Sequence, residues 1–333
     1  MNNNFKYICN NRRLIVGIGS ALVDILTHED EDFLAKTGAA KGGMILVAKE
    51  DIERILAISS GTPKVVPGGS ACNTVVGIGK LGGKARFVGK CGKGDMGKLI
   101  ENGLRRHHVD PALLRSESPT GRVLSIITPD AQRSMFTYLG ASAETRPEEI
   151  SVKCFENAAI VHVEGYLLYN PHLIQAALRA AKDAGAKISL DFASFTVVEK
   201  SKELLAQLVR NFVDILIANE DEAEAFCGCR DERPALEALS RNAEIAVLKV
   251  GARGSYISHA GSIIPVNPMG DGNALDTTGA GDLWAAGFLF GLVEGYPLEK
   301  CGQLGSACGY EVCQVIGANI PDDGWQRIKK LMK

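Results

Sequence analysis

The sequence lacks the features that mark several common classes of protein. It has no run of about 18 uninterrupted apolar residues, the length that a membrane-spanning helix needs. Its 37 Lys and Arg residues nearly balance 39 Asp and Glu residues, for a formal net charge of −2, and it has no sustained basic run with interleaved aromatic residues. We therefore expect neither a membrane nor a nucleic acid as a partner, and any anionic ligand must be bound by local groups.

The nine cysteines form neither a disulfide framework nor a zinc pattern. Their number is odd, and no two of them make a CxxC pair. Cys227 and Cys229 are close together, but no further His or Cys nearby completes a metal site, so we predict a polar turn there. Free thiols favour a reducing compartment, and we expect a cytoplasmic protein.

The N-terminal segment is similar in composition to a signal peptide, because Arg12 and Arg13 precede an apolar stretch. That stretch ends at Asp24 without a convincing cleavage region. The run from Leu14 to Gly19 suits the first buried strand of a parallel sheet equally well, and we predict a strand there.

The common nucleotide-binding motifs are absent or weak. No G-x-x-x-x-G-K-[ST] motif occurs, which excludes a phosphate-binding loop of the Walker type. Two G-x-G-x-x-G matches span residues 77–82 and 92–97. The first falls late in a helix predicted to start near Ser70, and the second has no acidic partner about twenty residues on, so neither predicts a Rossmann dinucleotide site.

After about residue 144, short apolar runs alternate with helical stretches. The apolar runs are AAIVHVEG, AKISLDF, VDILIAN and IAVLKVG, and the helical stretches include PHLIQAALRAAKDAGA and KELLAQLVRNF. This alternation predicts an α/β fold with a doubly wound parallel sheet. Ligands of such sheets bind beyond the carboxyl ends of the strands, which Asp191, Asn219, Gly251 and the loop at Asp276 mark here.

Two segments do not fit the alternation. GRVLSIITPDAQRSMFTYLGAS contains two β-prone runs around PDAQ, which predicts a hairpin, and the segment from Ile25 to Val66 is equally hard to place in a layered core. We predict that residues 25–66 and 119–143 form a small β-sheet lid. Residues 12–24, 67–118 and 144–333 would then form the core, with a hinge at GTPKVVPGGS.

The stretch DTTGAGDLWAAGF, from Asp276 to Phe288, places a carboxylate at the start of a predicted helix. The small residues Gly279, Ala280 and Gly281 would let a phosphate approach the unpaired N–H groups of the first helical turn. Asp282 would keep a low pKa there and could take a proton from an attacking hydroxyl. The alternative is a tight turn with Asp282 as a helix cap.

This stretch, together with GGSACNTVVGIGKLG at residues 68–82, resembles the two signature motifs of the ribokinase-like (PfkB) family of sugar and nucleoside kinases. GIGSALVDI, NEDEAEAF and KVGARGSY extend the resemblance over most of the chain, in the family's order and approximate spacing. The resemblance implies a three-layer ribokinase-like fold with a lid, ATP as phosphoryl donor and Mg²⁺ as cofactor.

The resemblance also implies roles for individual residues. Asp282 would be the general base, with the amides of Gly279, Ala280 and Gly281 as the anion hole. Asp24, Gly69 and Asn73 would bind sugar hydroxyls of the acceptor, and Arg133 would be a lid arginine that reaches the transferred phosphate. Asn219 and Glu222 would hold the magnesium and phosphate environment through water, and Gly251 and Gly254 would border the ATP adenine and ribose.

For several of these residues the pattern alone allows another interpretation. Asp24 also suits a strand-end turn, Asn73 a helix surface, Arg133 a solvated hairpin, and the two glycines a hairpin turn. NEDEAEA alone would be a capped acidic first turn.

Many members of the family bind a monovalent cation beside the anion hole. The corresponding positions here are Asp276, Thr278, Val315 and Gly317, so we expect K⁺ to bind. The chain departs from the sugar-kinase pattern by being shorter after Gly317 and by placing Lys249 where a small hydroxyl residue is common.

The lid segment LVDILTHEDEDFLAKTGAAKGGMILV resembles that of adenosine kinases and of inosine-guanosine kinases, which favours a nucleoside acceptor, most of all adenosine. Met135 and Phe136 alternate along the lid hairpin, so either could face the base. The alternatives are a sugar kinase of the same family, for ribose, fructose or a modified sugar, and a sensor that binds a small molecule without turnover. A monomer and a lid-mediated homodimer are both compatible with the sequence.

Overall fold

The computed structural model describes residues 12–130, 132–270 and 272–332, and Cys9 lies outside these ranges. The strands are β1 (Leu14–Ile18), β2 (Leu22–His28), β3 (Met44–Leu46), β4 (Lys64–Gly68), β5 (Lys84–Gly92), β6 (Val109–Ser116), β7 (Thr120–Ile127), β8 (Arg133–Gly140), β9 (Ala158–Glu164), β10 (Lys187–Asp191), β11 (Ile215–Asn219), β12 (Ile245–Lys249), β13 (Ser255–His259) and β14 (Ser262–Val266). The helices are α1 (Glu31–Thr37), α2 (Lys49–Ile58), α3 (Ser70–Leu81), α4 (Asp95–Arg106), α5 (Pro171–Asp183), α6 (Phe195–Phe212), α7 (Glu220–Cys227), α8 (Glu232–Ser240), α9 (Ala280–Glu294), α10 (Leu298–Cys313) and α11 (Asp322–Lys330).

Nine strands form the main sheet, in the order β6, β5, β1, β9, β10, β11, β12, β13, β14. The first seven are parallel, and β13 and β14 extend the sheet antiparallel. The predicted first strand, the four strands after residue 144 and the doubly wound parallel sheet are all confirmed. The antiparallel edge was not predicted.

Helices cover both faces of this sheet, which gives the predicted three layers. Neighbouring strand residues enter opposite cores: Ile15 and Val247 belong to one hydrophobic cluster, Val16 and Leu248 to the other. Strand side chains alternate in direction, so a strand covered on both sides is apolar throughout. Helix α9 is buried all round from Leu283 to Val293 because it packs against both α3 and α10.

A second sheet of five strands has the order β3, β8, β7, β2, β4. Its β7–β8 pair is antiparallel, which confirms the predicted hairpin. Helices α1 and α2 cover one face of this sheet, where Phe33 and Ile52 pack with Leu124 and Phe136. Neither helix was predicted, although Asp30 caps α1 by accepting from the Phe33 amide at 2.7 Å. We call this five-stranded sheet with α1 and α2 the lid; the chain boundaries predicted for it stay a prediction.

The chain passes between core and lid through very short connections. Three residues separate β1 from β2, and Gly69 alone separates β4 from α3. Gly69 has φ +101°, and a Cβ there would overlap the Ser20 carbonyl oxygen. Half of the stretch predicted as a hinge is strand, because β4 (Lys64–Gly68) pairs with β2 up to Gly68.

Glu164, at the end of β9, forms hydrogen bonds at both connections. Its buried carboxylate accepts hydrogen bonds from the Ser20 amide at 2.7 Å and the Ala71 amide at 3.0 Å. Burial raises its pKa to about 7 despite these two donors.

Among the helices of the described ranges, none combines the length and apolar character needed to cross a bilayer.

Candidate active site

A cleft lies beyond the carboxyl ends of β9 to β12 and beneath the lid. Its inner part, the lid pocket, has a volume of about 210 Å³ and includes Asp24, Asn73 and Asp282 in its wall. Its outer part, the loop pocket, has a volume of about 520 Å³ and includes Gly251 and Tyr310. A group of residues that includes Arg133, Lys249 and Gly281 lines both pockets, so the two are continuous.

The first turn of α9 lies where the two pockets join. Gly279 has φ +76°, and a Cβ there would be 2.6 Å from the Ala318 Cβ, so the position requires glycine. The Ala280 amide donates to the Thr277 carbonyl at 3.1 Å. In the described part of the chain, the amides of Gly279 and Gly281 have no protein acceptor, so of the three predicted anion-hole donors these two are open.

Asp282 is held by residues of α3. One carboxylate oxygen accepts from the Ser70 hydroxyl at 2.7 Å, and the other accepts from the Asn73 side-chain amide at 2.9 Å. Burial raises the pKa of Asp282 more than these two donors lower it. The predicted low pKa was wrong, because the effect of desolvation is larger than that of the neighbouring donors. A raised pKa suits a general base, because a base is most effective when its pKa lies near the working pH.

Asn73 contacts Asp282 through its side-chain amide, and its predicted contact with the acceptor stays a prediction. Its side chain still lines the lid pocket, beside Ser70. Ser70 was missed, although it is the first residue of the predicted helix and its hydroxyl could have been identified as a donor to a neighbouring carboxylate.

Asp24 lies on β2 with its carboxylate at the wall of the lid pocket. In the described chain, no donor binds this carboxylate, and a Cβ on Gly68 would collide with it. Burial raises the pKa of Asp24 to about 6, with nearby Arg133 acting in the opposite direction. Gly68 thus makes room for Asp24, while Gly69 is required for its own backbone conformation.

Arg133 is the first residue of β8 and lines both pockets. Among the residues that the structure describes, it makes no ion pair. It lies near enough to Asp24 and Asp282 to lower the pKa of each. Its guanidinium therefore has donors available for a ligand in the cleft.

Asn219 and Glu222 form a reciprocal helix cap at the start of α7. Glu222 accepts from the Asn219 amide at 2.8 Å and from its side chain at 2.9 Å, and the Glu222 amide donates to Asn219 Oδ1 at 2.9 Å. Both carboxylate oxygens already have a protein donor, but each keeps a second lone pair. This arrangement fits water-mediated binding of magnesium and phosphate.

Gly251 and Gly254 connect β12 to the antiparallel β13, so the hairpin interpretation is confirmed. A Cβ on Gly254, which has φ +98°, would overlap the Val266 carbonyl oxygen. Both glycines also line the loop pocket. The turn and the predicted border of a nucleotide site therefore coincide.

Asp276 braces the loop before α9. One oxygen accepts from the Thr278 amide at 2.8 Å and from its hydroxyl at 2.6 Å, and the other accepts from the Gly317 amide at 2.7 Å. Asp276 and Thr278 are fully buried. The predicted cation-binding residues Asp276, Thr278 and Gly317 are thus adjacent, and Asp276 has one acceptor position open.

Two charged residues of the cleft were missed as site residues. Lys249 ends β12 and donates to Asp191 at the end of β10, at 2.9 Å. Asp191 had been recognised as a strand end, and Lys249 as a departure from the sugar-kinase pattern, and these were the available signals. Beside them, Ala193 has φ +65° and its carbonyl accepts from the hydroxyl of the partly buried Tyr166 at 3.2 Å.

Comparison with known proteins assigns the chain to a family. Residues 24–324 match the profile of the pfkB family carbohydrate kinases. The chain is 26% identical over 332 residues to adenosine kinase of Saccharomyces cerevisiae, which covers 93% of this chain and 97% of the yeast protein. The crystal structure of adenosine kinase from Sinorhizobium meliloti is 32% identical with a TM-score of 0.90, covering 97% of this chain and all of that one.

A second solved structure, the probable sugar kinase from Rhizobium etli, is similarly close. It is 31% identical with a TM-score of 0.91, over 96% of this chain and 98% of the other. The relatives thus include nucleoside and sugar kinases, and the chain belongs to the PfkB family as a phosphotransferase with a ribokinase-like fold.

Proposed function

We propose that this kinase transfers the γ-phosphoryl group of ATP to the 5′-hydroxyl of a nucleoside, with adenosine as the expected acceptor. The observation that carries the proposal is the lid pocket. It places an open carboxylate, Asp24, and a base, Asp282, beside an apolar wall that the lid supplies.

Asp24 is suited to bind the ribose. A carboxylate free of protein donors can accept from two neighbouring hydroxyls, such as the 2′ and 3′ groups of a nucleoside. Asp282, held by Ser70 and Asn73, would take the proton of the 5′-hydroxyl.

The wall of the lid pocket favours a base over a second set of hydroxyls. Its apolar members are Leu22, Met44, Leu46, Val123, Met135 and Leu139. Met135 lines the pocket, whereas Phe136 is buried among the helices of the lid, which supports Met135 as the residue that faces the base. An aromatic base gains from apolar contact, while a sugar hydroxyl would lose its hydration without a partner.

ATP would occupy the loop pocket, with its γ-phosphate at the open amides of Gly279 and Gly281. Magnesium near Asn219 and Glu222 would neutralise phosphate charge. Arg133 would add a positive charge from the lid side, and the lid would exclude water.

A monovalent cation at Asp276, Thr278, Val315 and Gly317 belongs to the proposal. Asp276 keeps one acceptor position after its three protein donors. A cation there would stabilise the loop that leads into α9. We expect higher activity in KCl than in choline chloride of equal ionic strength; equal rates would remove the cation from the proposal.

The proposal also includes a cytoplasmic location and either a monomer or a lid-mediated homodimer. Strands β3 and β4 are the edges of the lid sheet, and Leu46 and Val65 on them are about half exposed.

The deciding experiment measures ADP formation from Mg-ATP with adenosine, inosine, guanosine, cytidine, ribose and fructose. Wild type is compared with Asp282→Asn and with Asp110→Asn, a surface control whose carboxylate pairs with Arg86. We expect turnover with adenosine and a loss of roughly 100-fold or more in Asp282→Asn alone.

Other outcomes would identify the alternatives. Turnover only with ribose or fructose would make the protein a sugar kinase. Binding of nucleosides without turnover in the wild type would support a sensor.

A further inference from the structure

Lys249 lies in the cleft without a role in the reaction described so far. It is the last residue of β12, paired in register with Asn219 of β11. Its side chain is 13% exposed, and its ammonium donates to the 6% exposed Asp191 at 2.9 Å. A lysine this buried must have its charge compensated, and a strand end holds it in place.

The ammonium also lies against the first turn of α9. A Cβ built on Gly281 would be 3.1 Å from Lys249 Nζ. Any side chain at position 281 would therefore crowd the ammonium, and glycine lets the ammonium approach the first turn of α9. Gly279, Gly281 and Lys249 all line the lid pocket, and Gly281 and Lys249 line the loop pocket as well.

The charges around Lys249 keep it protonated. Burial disfavours its ammonium, but Asp191 and Glu222 outweigh burial and raise the pKa of Lys249, with a smaller contribution from Asp282. Of the other Lys and Arg residues that the structure describes, Arg133 alone lines both pockets. The Lys249 ammonium has three donors, of which Asp191 takes one, so the others can meet an anionic ligand.

We propose that Lys249 is a catalytic residue that contacts the γ-phosphoryl group during its transfer. The inference rests on the proposed kinase reaction. In that reaction the acceptor oxygen forms a bond to the γ-phosphorus while the bond from that phosphorus to the bridging oxygen of ADP breaks. The acceptor proton goes to Asp282, and Lys249 keeps its proton and neutralises charge on the phosphoryl oxygens. Asp191 positions the ammonium.

The test compares Lys249→Met, Lys249→Arg and the control Lys187→Met. Lys187 also ion-pairs with an aspartate, Asp214 at 2.8 Å, but lies at the opposite end of β10. We expect Lys249→Met to lower kcat by roughly 100- to 1000-fold, as loss of one preorganised charge donor does. The Kd for adenosine should stay within about twofold, since the ammonium lies on the phosphate side of the cleft, and Lys249→Arg should recover part of kcat.

A binding readout separates this inference from the choice of acceptor. The affinity of each variant for ADP and for β,γ-imido-ATP is measured without acceptor. The difference in affinity between β,γ-imido-ATP and ADP measures the contribution of the γ-phosphate. Lys249→Met should lose most of this difference, while Lys187→Met should keep it. That result supports Lys249 even if adenosine proves not to be phosphorylated.

Two results would overturn the inference. One is an unchanged γ-phosphate contribution in Lys249→Met. The other is a loss of kcat matched by an equal loss of adenosine affinity and of melting temperature, which would show that Lys249 only supports the fold. Absence of nucleotide binding in the wild type would overturn both the proposed function and the role of Lys249.

Discussion

At the scale of single residues, the site concentrates carboxylates that the fold does not fully neutralise. Burial raises the pKa of Asp24 to about 6 and also raises that of Asp282. In a folded protein such groups are tolerated because a ligand or a proton transfer uses them, and their ionised forms reduce stability.

Replacement of Asp24 should therefore stabilise the protein while it removes function. The folded pKa of about 6 exceeds the ordinary 3.8, so the stability of wild type falls as pH rises through this window. At pH 8 we expect Asp24→Asn to raise the free energy of unfolding by about 3 kcal/mol, because one pKa unit corresponds to about 1.36 kcal/mol. Near pH 3.5 the two proteins should differ little.

Urea denaturation at pH 8 and in acid measures this difference, and the KM for adenosine should rise sharply in the same variant. A variant less stable than wild type at pH 8 would show that Asp24 has stabilising partners in the fold.

Several residue positions could be predicted from the sequence, and others could not. The resemblance to the PfkB motifs implied that Asp282, Asp24 and Arg133 lie in one cleft, and all three line the lid pocket. The hydrogen bond from Asn73 to Asp282 and the ion pair of Lys249 with Asp191 join residues far apart in the chain, and spacing gives no information on side-chain direction. The raised pKa of Asp282 depends on burial, which only the packed structure provides.

At the scale of elements, Gly69 joins β4 to α3 in a conformation that other residues avoid. Its Cβ would also overlap a backbone oxygen, which cannot rotate away. We expect Gly69→Ala to lower the free energy of unfolding by about 2 kcal/mol or more, since a strained backbone alone costs of the order of 1–3 kcal/mol.

The matched control is Gly38→Ala at the end of α1. Gly38 has φ +73°, but no atom lies within 4 Å of a Cβ built there. Gly38→Ala should therefore lower the free energy of unfolding by about 1 kcal/mol. Thermal unfolding of both variants measures the difference. Equal losses would mean that the backbone at residue 69 adjusts to the added Cβ.

Strands β1 and β9 to β12 were predictable because each is a short apolar run, and helices α5 and α6 because each has a clear apolar face. The helices of the lid were missed for a physical reason. Helix α1 has seven residues, too few to show a helical period, and the lid buries only one of its sides.

At the scale of the whole molecule, the cleft lies between two bodies that a ligand would bridge. Asp24 comes from the lid, whereas Asp282 and Lys249 come from the core. A ligand that binds both should stabilise the molecule by about 2.7 kcal/mol at 100 times its Kd.

We expect adenosine with β,γ-imido-ATP to slow amide exchange in β2, β8 and the loop before α9. Strand β6, at the far edge of the core sheet, should change little. Hydrogen exchange by mass spectrometry measures this pattern, and protection spread evenly over all strands would argue against closure of the lid on the core.

The strand order of the lid has a consequence for synthesis on the ribosome. Strand β3 pairs with β8, and β2 lies between β4 and β7, yet β7 and β8 are translated only after β5, α4 and β6 of the core. The first lid segment must therefore leave the exit tunnel with Phe33, Ile52 and Ile55 uncovered, for several seconds at ordinary elongation rates. The nascent chain is thus a candidate for chaperone binding at this stage, before the enzyme has an acceptor site at all.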